Sequence, residues 1–249
     1  MVWAFGDGAD GGPGAQALAE MVAAASPDRV LYLGDVYEDG TEEEFKTNFG
    51  DVYGGLRLTE RMEPTPGNHE WPNHRTGYDP FWQGVKGRAI PRWYAFEIGG
   101  WEILSLNSEA EHGPDSPQVR WLRERLEASD TTCRLAFWHR PRFSSGLNHG
   151  DQPDVAPLWD ALRGRAALVV TGHEHNLQRH AARDGLVAIV SGAGGKDHYE
   201  NADDYPGLEF AEDERDGALR LALTPGRADL SFVATDKTVL DRSRVSCRP

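Results

Sequence analysis

The chain has 249 residues and a formal charge of −14 at pH 7, from 26 basic and 40 acidic side chains. A protein that binds nucleic acids without sequence specificity does so through clustered Lys and Arg side chains. The negative net charge therefore excludes a protein of this class. Hydrophobic residues make up 39% of the chain and no apolar run approaches the length of a membrane span, which predicts a folded protein without a membrane partner.

The first 70 residues alternate strands and helices. Predicted strands cover residues 2–5, 30–33 and 61–65, and a helix is predicted over 15–25. Thr41 and Glu44 match a capping box, which predicts a second helix ending near residue 49. Such alternation favours parallel strands with helical crossovers. Residues 77–92, rich in Gly, Pro and aromatic residues, are predicted as a long surface excursion.

The second half adds strands and one clear helix. A hairpin is predicted over 94–98 and 101–106, a helix over 116–128, and further strands over 133–138, 167–170, 186–190, 218–223, 229–233 and 238–240. Residues 200–216 carry eight acidic side chains and one Arg, which is typical of a solvated loop. No repeat or linker interrupts the chain, so residues 1–249 are predicted to form a single domain.

A glycine loop at the N-terminus suggests one alternative function. Residues 6–11 fit the pattern G-x-G-x-x-G between a strand and a helix, and Asp35 follows the next strand, as in dinucleotide-binding oxidoreductases. Asp7 and Asp10 oppose this reading because they would place negative charge against a pyrophosphate. The dinucleotide-binding oxidoreductase therefore stays a remote alternative.

Five segments share a stronger pattern: each places Asp, Asn or His just beyond an apolar strand. They are Gly6-Asp7, Gly34-Asp35, Gly67-Asn68-His69-Glu70, Trp138-His139 and Gly172-His173-Glu174-His175. The carboxyl ends of strands in α/β sheets converge on one crevice, so these side chains are expected to meet. Mixed carboxylate, imidazole and carbonyl donors hold cations such as zinc, iron and manganese. In an extended segment, His173 and His175 would point to the same side.

In this order, the five segments resemble the calcineurin-like metallophosphoesterases, most closely their purple acid phosphatase-like branch. The similarity runs from Val2 to about Gly195 and is most specific over residues 139–146 and 172–176. The resemblance implies an α/β fold, a four-layer α/β/β/α sandwich with mixed sheets. It also implies a dinuclear metal site at the C-terminal ends of the strands, and a hydrolase acting on phosphoesters.

The resemblance further implies a ligand set for two divalent or mixed-valence metal ions, drawn from iron, zinc and manganese. Asp7, Asp35 and His175 would hold the first ion, with Asp35 bridging to a second that also takes Asn68, His139 and His173. The branch uses a tyrosinate in place of a His that would here stand at Ala9. Its Tyr normally follows the second Asp by three residues, whereas Tyr37 follows Asp35 by two. Tyr37 is predicted as a ligand on the hypothesis of a one-residue deletion.

The predicted function is hydrolysis of a small phosphate ester, as in an acid phosphatase, with a metal-bridging hydroxide attacking phosphorus in line. Asn68 would stabilise charge on the phosphoryl oxygens, and His69 would position phosphate or protonate the departing alkoxide. His149 is a second candidate acid, although a plain loop His is an equal interpretation. A phosphodiesterase acting on nucleotides or cyclic nucleotides, with the same two metals, is the main alternative. Oligomeric state is not predicted.

Two cysteines and the N-terminus bear on localisation. Cys133 and Cys247 would form one disulfide or remain two thiols, and a disulfide would favour an extracytoplasmic location. Met1, Val2 and Trp3 lead directly into a strand, so no signal peptide is predicted within this numbering. Similar bacterial enzymes are often exported, which favours an extracytoplasmic protein over a cytoplasmic one.

Overall fold

A computed structural model describes residues 1–248 of the chain. These residues form thirteen strands: β1 (Val2–Phe5), β2 (Arg29–Tyr32), β3 (Met62–Pro64), β4 (Tyr94–Ile98), β5 (Trp101–Ser105), β6 (Arg134–Phe137), β7 (Leu168–Thr171), β8 (Leu177–His180), β9 (Val187–Ser191), β10 (Leu208–Glu212), β11 (Gly217–Thr224), β12 (Arg227–Ala234) and β13 (Val239–Ser246). Their α-helices are α1 (Pro13–Ala24), α2 (Glu42–Glu44), α3 (Tyr78–Lys86), α4 (Pro117–Glu127) and α5 (Ala156–Leu162). No helix within 1–248 is long and apolar enough to cross a bilayer.

The strands divide into two mixed sheets. One has the order β13-β12-β11-β1-β2-β3, and the other has the order β10-β8-β9-β7-β6-β5-β4. In the first sheet β1, β2 and β3 are parallel, whereas β1 pairs with β11 antiparallel. In the second sheet β5, β6, β7 and β9 are parallel. The parallel strands form one side of the first sheet, with β3 at its edge, and the centre of the second sheet. In each sheet the C-terminal ends of these parallel strands lie on the same side.

The alternation of side chains along β1 defines the layers of the fold. Val2 and Ala4 lie in the core between the two sheets, whereas Trp3 and Phe5 lie in an outer core with α1 and α3. Since successive side chains of a strand face opposite sides, the sheet is covered on both faces. The second sheet repeats this pattern, and its outer core includes α4 and α5. The predicted α/β/β/α sandwich with mixed sheets is confirmed.

The predicted capping box at Thr41 is present, but its helix is longer than expected. Thr41 Oγ1 accepts from the Glu44 N–H at 3.3 Å, and the Glu44 carboxylate accepts from the Thr41 N–H at 2.8 Å. After α2 the chain continues as a wider helix, Phe45–Gly54. Phe45, Phe49 and Tyr53 are buried along one side of it, and this burial carries the helix past the predicted end.

The prediction of a surface excursion over residues 77–92 was wrong, because this segment contains α3. Tyr78 and Trp82 lie one turn apart and are both buried, which supplies the apolar face that a helix needs. The helix ends at Gly87, whose φ of +67° is the left-handed conformation that glycine adopts without a steric penalty.

The acidic segment 200–216 is also more than a solvated loop, because residues 208–212 form strand β10. This strand pairs antiparallel with β8 at the edge of the second sheet. Phe210 stacks on Phe232 with a centroid distance of 5.4 Å. Glu209, next to Phe210, is exposed on this edge strand, where charge discourages pairing with other chains.

The two cysteines form a disulfide in the structure. Cys133 lies just before β6 and is bonded to Cys247 in the C-terminal tail, across 114 residues of sequence. The tail is further held by the Arg248 carbonyl, which accepts from the Thr132 N–H at 2.8 Å. Of the two alternatives, the structure has the disulfide rather than the free thiols.

Candidate metal centre

The seven predicted ligand residues meet at the adjoining edges of the two sheets. Asp7, Asp35 and Asn68 follow the parallel strands β1, β2 and β3, while His139 and His173 follow β6 and β7. Tyr37 and His175 lie two residues beyond Asp35 and His173. Since all these strands end on the same side, residues up to 168 positions apart in sequence lie within one site.

One half of the site gathers around His139. The His139 Nε2 atom lies 3.1 Å from both Asn68 Oδ1 and His173 Nδ1, and 3.4 Å from Asp35 Oδ1. Asp35, His139 and His173 each offer one ligand atom, and these atoms lie within 4.8 Å of one another. All three residues are buried. This arrangement matches the set predicted for the second metal.

The other half gathers around the Tyr37 hydroxyl. Tyr37 Oη lies 2.9 Å from His175 Nε2, 3.3 Å from Asp35 Oδ2 and 3.4 Å from Asp7 Oδ1. The hydroxyl therefore reaches the site despite the altered spacing. The backbone beside Tyr37 is held to the loop after β1: the Ala9 carbonyl accepts from the Tyr37 N–H at 2.9 Å. Metal ligation by Tyr37 stays a prediction.

The donor atoms of the histidines suit a cation. His139 Nδ1 lies 2.8 Å from the Leu33 carbonyl, and His175 Nδ1 lies 2.7 Å from the Asp197 carbonyl. A carbonyl oxygen only accepts, so each Nδ1 carries the hydrogen and each Nε2 can present a lone pair to the site. This second contact is what orients metal-ligating histidines. The residues present therefore fit a metal centre.

Three residues at the site have positive φ: Asp7 at 60°, Asp35 at 71° and His173 at 71°. This conformation is uncommon outside glycine and costs free energy that surrounding contacts must offset. One such contact is the His173 N–H, which donates to Asp7 Oδ2 at 2.9 Å. Because of this φ, the segment from His173 to His175 is not extended as predicted. The two histidines nevertheless both reach the site, one in each half.

Two glycines keep space for the carboxylates. A Cβ atom on Gly67 would lie 2.0 Å from Asp35 Oδ1, and one on Gly172 would lie 2.5 Å from Asp7 Oδ2. Both distances are far below contact. The glycines of these two motifs are therefore needed because a carboxylate lies against the backbone there.

Burial and mutual attraction set the protonation of the site. Burial raises the pKa of Asp7 well above its usual value. Burial also acts to raise the pKa of Asp35, but attraction to His139 outweighs it and lowers that pKa. Burial opposes the charge on His139, yet the pairing with Asp35 raises its pKa to about 10. Burial lowers the pKa of His175 to about 4. Since a ligand nitrogen must be unprotonated, cation binding would release the His139 proton.

Glu70 supports the ligand loops, a role that sequence reasoning missed. Its fully buried carboxylate accepts from the N–H groups of Gly67 at 2.9 Å, Val36 at 3.1 Å and Asp35 at 3.2 Å. Burial, followed by repulsion from Asp35, raises the pKa of Glu70 to about 7. Glu70 thereby joins the loop after β2 to the loop after β3. Its position next to the Gly67-Asn68-His69 motif was the available signal.

The candidate catalytic histidines lie at the border of the site. His69 is 31% exposed, its Nδ1 contacts the Glu38 carbonyl, and its Nε2 lies 3.8 Å from Asp35 Oδ2. His149 is exposed, and its ring stacks on His173 with a centroid distance of 4.1 Å. Burial and the charge of His139 lower the pKa of His149. The role of His149 as a general acid stays a prediction.

Tyr199 was not predicted from the sequence. Its ring stacks on His175 with a centroid distance of 4.0 Å and an interplanar angle of 13°. It also meets His149 edge to face at 5.4 Å. No motif marked this residue, because its place depends on the path of the chain after β9. Arg140, next to His139, forms a salt bridge with Glu109 at 2.9 Å.

A family model described as "Calcineurin-like phosphoesterase" matches residues 2–177. The chain belongs to the calcineurin-like phosphoesterase family. Membership confirms the resemblance to this family that was predicted from the five segments. The N-terminal glycine loop belongs to this fold: the Asp7 side chain enters the cluster, and α1 begins only at Pro13. The dinucleotide-binding alternative gains no support.

Individual proteins of known sequence and structure agree with this assignment. The chain is 25% identical over 170 residues to "Probable purple acid phosphatase 20" of Arabidopsis thaliana, covering 61% of this chain and 40% of that protein. It is 27% identical over 183 residues to "Probable cyclic nucleotide phosphodiesterase syc0937_d" of Synechococcus, covering 66% and 64%. The chain thus spans less than two thirds of the length of both relatives.

Among solved structures, a purple acid phosphatase isolated from seeds of yellow lupin (Lupinus luteus) has a similar fold. It superposes with a TM-score of 0.79 at 19% identity, covering 98% of this chain and 53% of that one. At this identity the likeness concerns the fold alone.

Proposed function

We propose that the protein is a phosphomonoesterase that holds two divalent or mixed-valence cations, drawn from iron, zinc and manganese. The observation that carries this proposal is the position of Asp35 between two groups of donors. Its Oδ1 faces His139, and its Oδ2 faces the Tyr37 hydroxyl. One cation would take Asp7, Asp35, Tyr37 and His175, and the other would take Asp35, Asn68, His139 and His173.

Bound cations would supply positive charge for the phosphoryl oxygens and acidify a water, which is the chemistry of two-metal phosphatases. The chain's own side chains orient the ester. Asn68 Oδ1 faces His139, which leaves its Nδ2 group to donate to a phosphoryl oxygen. His69 keeps a hydrogen on Nδ1 for the Glu38 carbonyl and turns Nε2 toward Asp35. When protonated at Nε2, His69 can give that proton to the departing alkoxide.

Two observations favour a monoester over a diester. The phenol of Tyr37 lies among the carboxylates, as the purple acid phosphatase-like interpretation requires. The Arabidopsis relative is named as a probable purple acid phosphatase. The Synechococcus relative, named as a cyclic nucleotide phosphodiesterase, supports the second candidate, a phosphodiesterase that uses the same centre.

A paired assay tests this proposal. The protein, purified with manganese, zinc or iron and analysed for metal content, is given p-nitrophenyl phosphate and bis(p-nitrophenyl) phosphate. We expect faster hydrolysis of the monoester, and loss of both turnover and bound metal in His139→Ala and His173→Ala. His112→Ala is the matched control, since His112 pairs with Asp154 outside the cluster. Faster diester hydrolysis would favour the phosphodiesterase, and unchanged turnover in both cluster variants would refute the site.

Visible absorption tests the assignment of Tyr37. If Tyr37 binds ferric iron as a tyrosinate, the iron-loaded protein will be coloured and Tyr37→Phe will lose the band. A colourless iron-loaded protein would remove Tyr37 from the ligand set.

We also propose an extracytoplasmic location and small phosphate esters, rather than nucleic acids or membranes, as partners. The Cys133–Cys247 disulfide supports this location, because disulfides persist in oxidising compartments. Mass analysis after alkylation of the native protein, with and without reduction, tests the disulfide. Two freely alkylated cysteines in the unreduced protein would contradict it.

A further inference from the structure

Two paired segments border the metal centre beside His173 and His175; we call residues 144–150 and 199–202 the rim. The Leu147 N–H donates to the Glu200 carbonyl at 2.9 Å, and the Ala202 N–H donates to the Ser145 carbonyl at 2.8 Å. Between these bonds, Gly146 and Asn201 form an antiparallel bridge. The two segments therefore hold each other as a short ladder.

The rim is also fixed to the site itself. The Glu174 carboxylate accepts from the backbone N–H groups of His149 at 3.2 Å and Gly150 at 3.0 Å. On the other segment, the Tyr199 N–H donates to the His175 carbonyl at 3.2 Å, and Asn176 Nδ2 donates to the Tyr199 carbonyl at 3.0 Å. Each rim segment is thus bonded to the stretch that carries His173 and His175.

Two aromatic rings of the rim form a corner above the ligands. His149 stacks on His173 and Tyr199 stacks on His175, while His149 and Tyr199 meet at an interplanar angle of 73°. One face of each ring thus packs against a predicted metal ligand. Their positions relative to the metal-binding atoms are consequently set by packing, which is what a selective contact surface needs.

One exposed apolar side chain and two exposed carboxylates lie near this corner in the rim and in the sequence. Leu147, on the same ladder, is 64% exposed, the highest value among the exposed large hydrophobic residues. Asp197, two residues before Tyr199, and Glu200, directly after it, are both exposed. A flat apolar group would gain contact area with the corner, whereas a second anionic group would be repelled by the two carboxylates.

We propose that Tyr199, His149 and Leu147 form a leaving-group subsite that selects phosphate monoesters of neutral aromatic alcohols. This inference rests on the proposed phosphomonoesterase function. A leaving group that departs on the His173 and His175 side of the cluster would meet the rings of His149 and Tyr199, which stack on these two histidines and are inclined to each other by 73°. Tyr199 is the specificity-determining residue because it touches both His175 and His149.

Binding of two phosphonates tests the subsite without requiring turnover. Phenylphosphonate and methylphosphonate share the same anionic head and differ in the group that would meet the rim. We expect calorimetry on the manganese-loaded protein to show phenylphosphonate binding about 2- to 10-fold more tightly, the range of a single aromatic contact. Tyr199→Ser should abolish this preference, and Tyr199→Phe should keep it.

Two leucines provide a matched pair of variants. Leu147→Ser should reduce the preference, whereas Leu56→Ser, at the other exposed leucine, should leave it unchanged. If Tyr199→Ser loses its metal or its fold, Leu147→Ser still decides the question, because Leu147 is exposed. Equal binding of the two phosphonates by the unaltered protein, or a preference that survives both rim variants, would overturn the subsite.

Hydrolysis of phenyl phosphate, measured on the same samples, separates the two proposals. A phenyl preference without hydrolysis would support the subsite and reject the phosphomonoesterase. Hydrolysis without a phenyl preference would reject the subsite and support the phosphomonoesterase.

Discussion

Two buried glutamates hold different parts of the same site. Glu70 accepts hydrogen bonds from three backbone N–H groups in the loops that carry Asp35 and Asn68. Glu174 accepts from two backbone N–H groups in the rim, near His149. Both side chains belong to residues with no exposed surface, and burial raises the pKa of each.

The difference between them separates two tasks. The partners of Glu70 lie on or beside predicted ligands, so its loss would move donor atoms. The partners of Glu174 lie on the segment that would contact the leaving group. We therefore expect that residues of the rim can be substituted while the predicted ligands keep their positions. Such substitutions are one way in which proteins of one fold come to accept different substrates.

The largest expected effect is that of Glu70→Ala. Three buried N–H groups would lose their acceptor, and each unpaired buried group costs about 1–3 kcal/mol. We expect the free energy of unfolding in urea to fall by about 3 kcal/mol or more, together with loss of bound metal. Glu70→Gln, which keeps one carbonyl acceptor, should lose less. Full metal content in Glu70→Ala would show that the ligand loops do not depend on this carboxylate.

Removal of the disulfide should lower stability without affecting the site. Cys133 lies before the start of β6, whereas His139 lies beyond its end, so the bond and the predicted ligand are at opposite ends of one strand. A disulfide that closes a long loop contributes about 2–4 kcal/mol. We expect Cys133→Ser with Cys247→Ser to lose this amount in urea unfolding while metal content stays unchanged. Metal loss in the folded variant would contradict the separation.

The ligand residues could be predicted because they follow five strands, β1, β2, β3, β6 and β7. A short apolar run ending in Asp, Asn or His is visible locally, and the convergence of strand ends is a general property of such sheets. Tyr37 was also accessible, since only its spacing departed from the expected pattern. The layers were predicted from the family resemblance, and the apolar residues on both faces of β1 are consistent with them.

Other features depend on tertiary contacts that no local pattern records. The helix α3 forms because Tyr78 and Trp82 have an apolar surface to cover, in a stretch whose Gly and Pro content favours a loop. Strand β10 forms because β8 offers it an edge. Glu70, Glu174 and Tyr199 acquire their roles from partners brought close by the fold, so their own sequence positions gave little information.

Glu174→Gln should have an intermediate effect confined to the rim. An amide oxygen is a weaker acceptor than a carboxylate, so we expect a loss of about 1–2 kcal/mol in the free energy of unfolding. Metal content should stay at the level of the unaltered protein, while the preference for phenylphosphonate over methylphosphonate should decrease. If Glu174→Gln lost metal as Glu70→Ala does, the two glutamates would not have separate tasks.

The smallest effect concerns His198, which directly precedes the rim segment 199–202. Its Nε2 forms an ion pair with Asp216, the residue before β11, at 3.1 Å. The hydrogen bond to Asp216 raises the pKa of His198, in opposition to burial. A raised folded-state pKa stabilises the protein fully below the unfolded value of about 6.5, and this contribution disappears as pH rises through the folded-state pKa. Partly exposed pairs of this kind contribute about 1 kcal/mol or less.

The stability difference between the unaltered protein and His198→Asn, measured by urea unfolding, should therefore be larger near pH 5.5 than near pH 8.5. Equal differences at both pH values would show that the charge of His198 does not hold the rim.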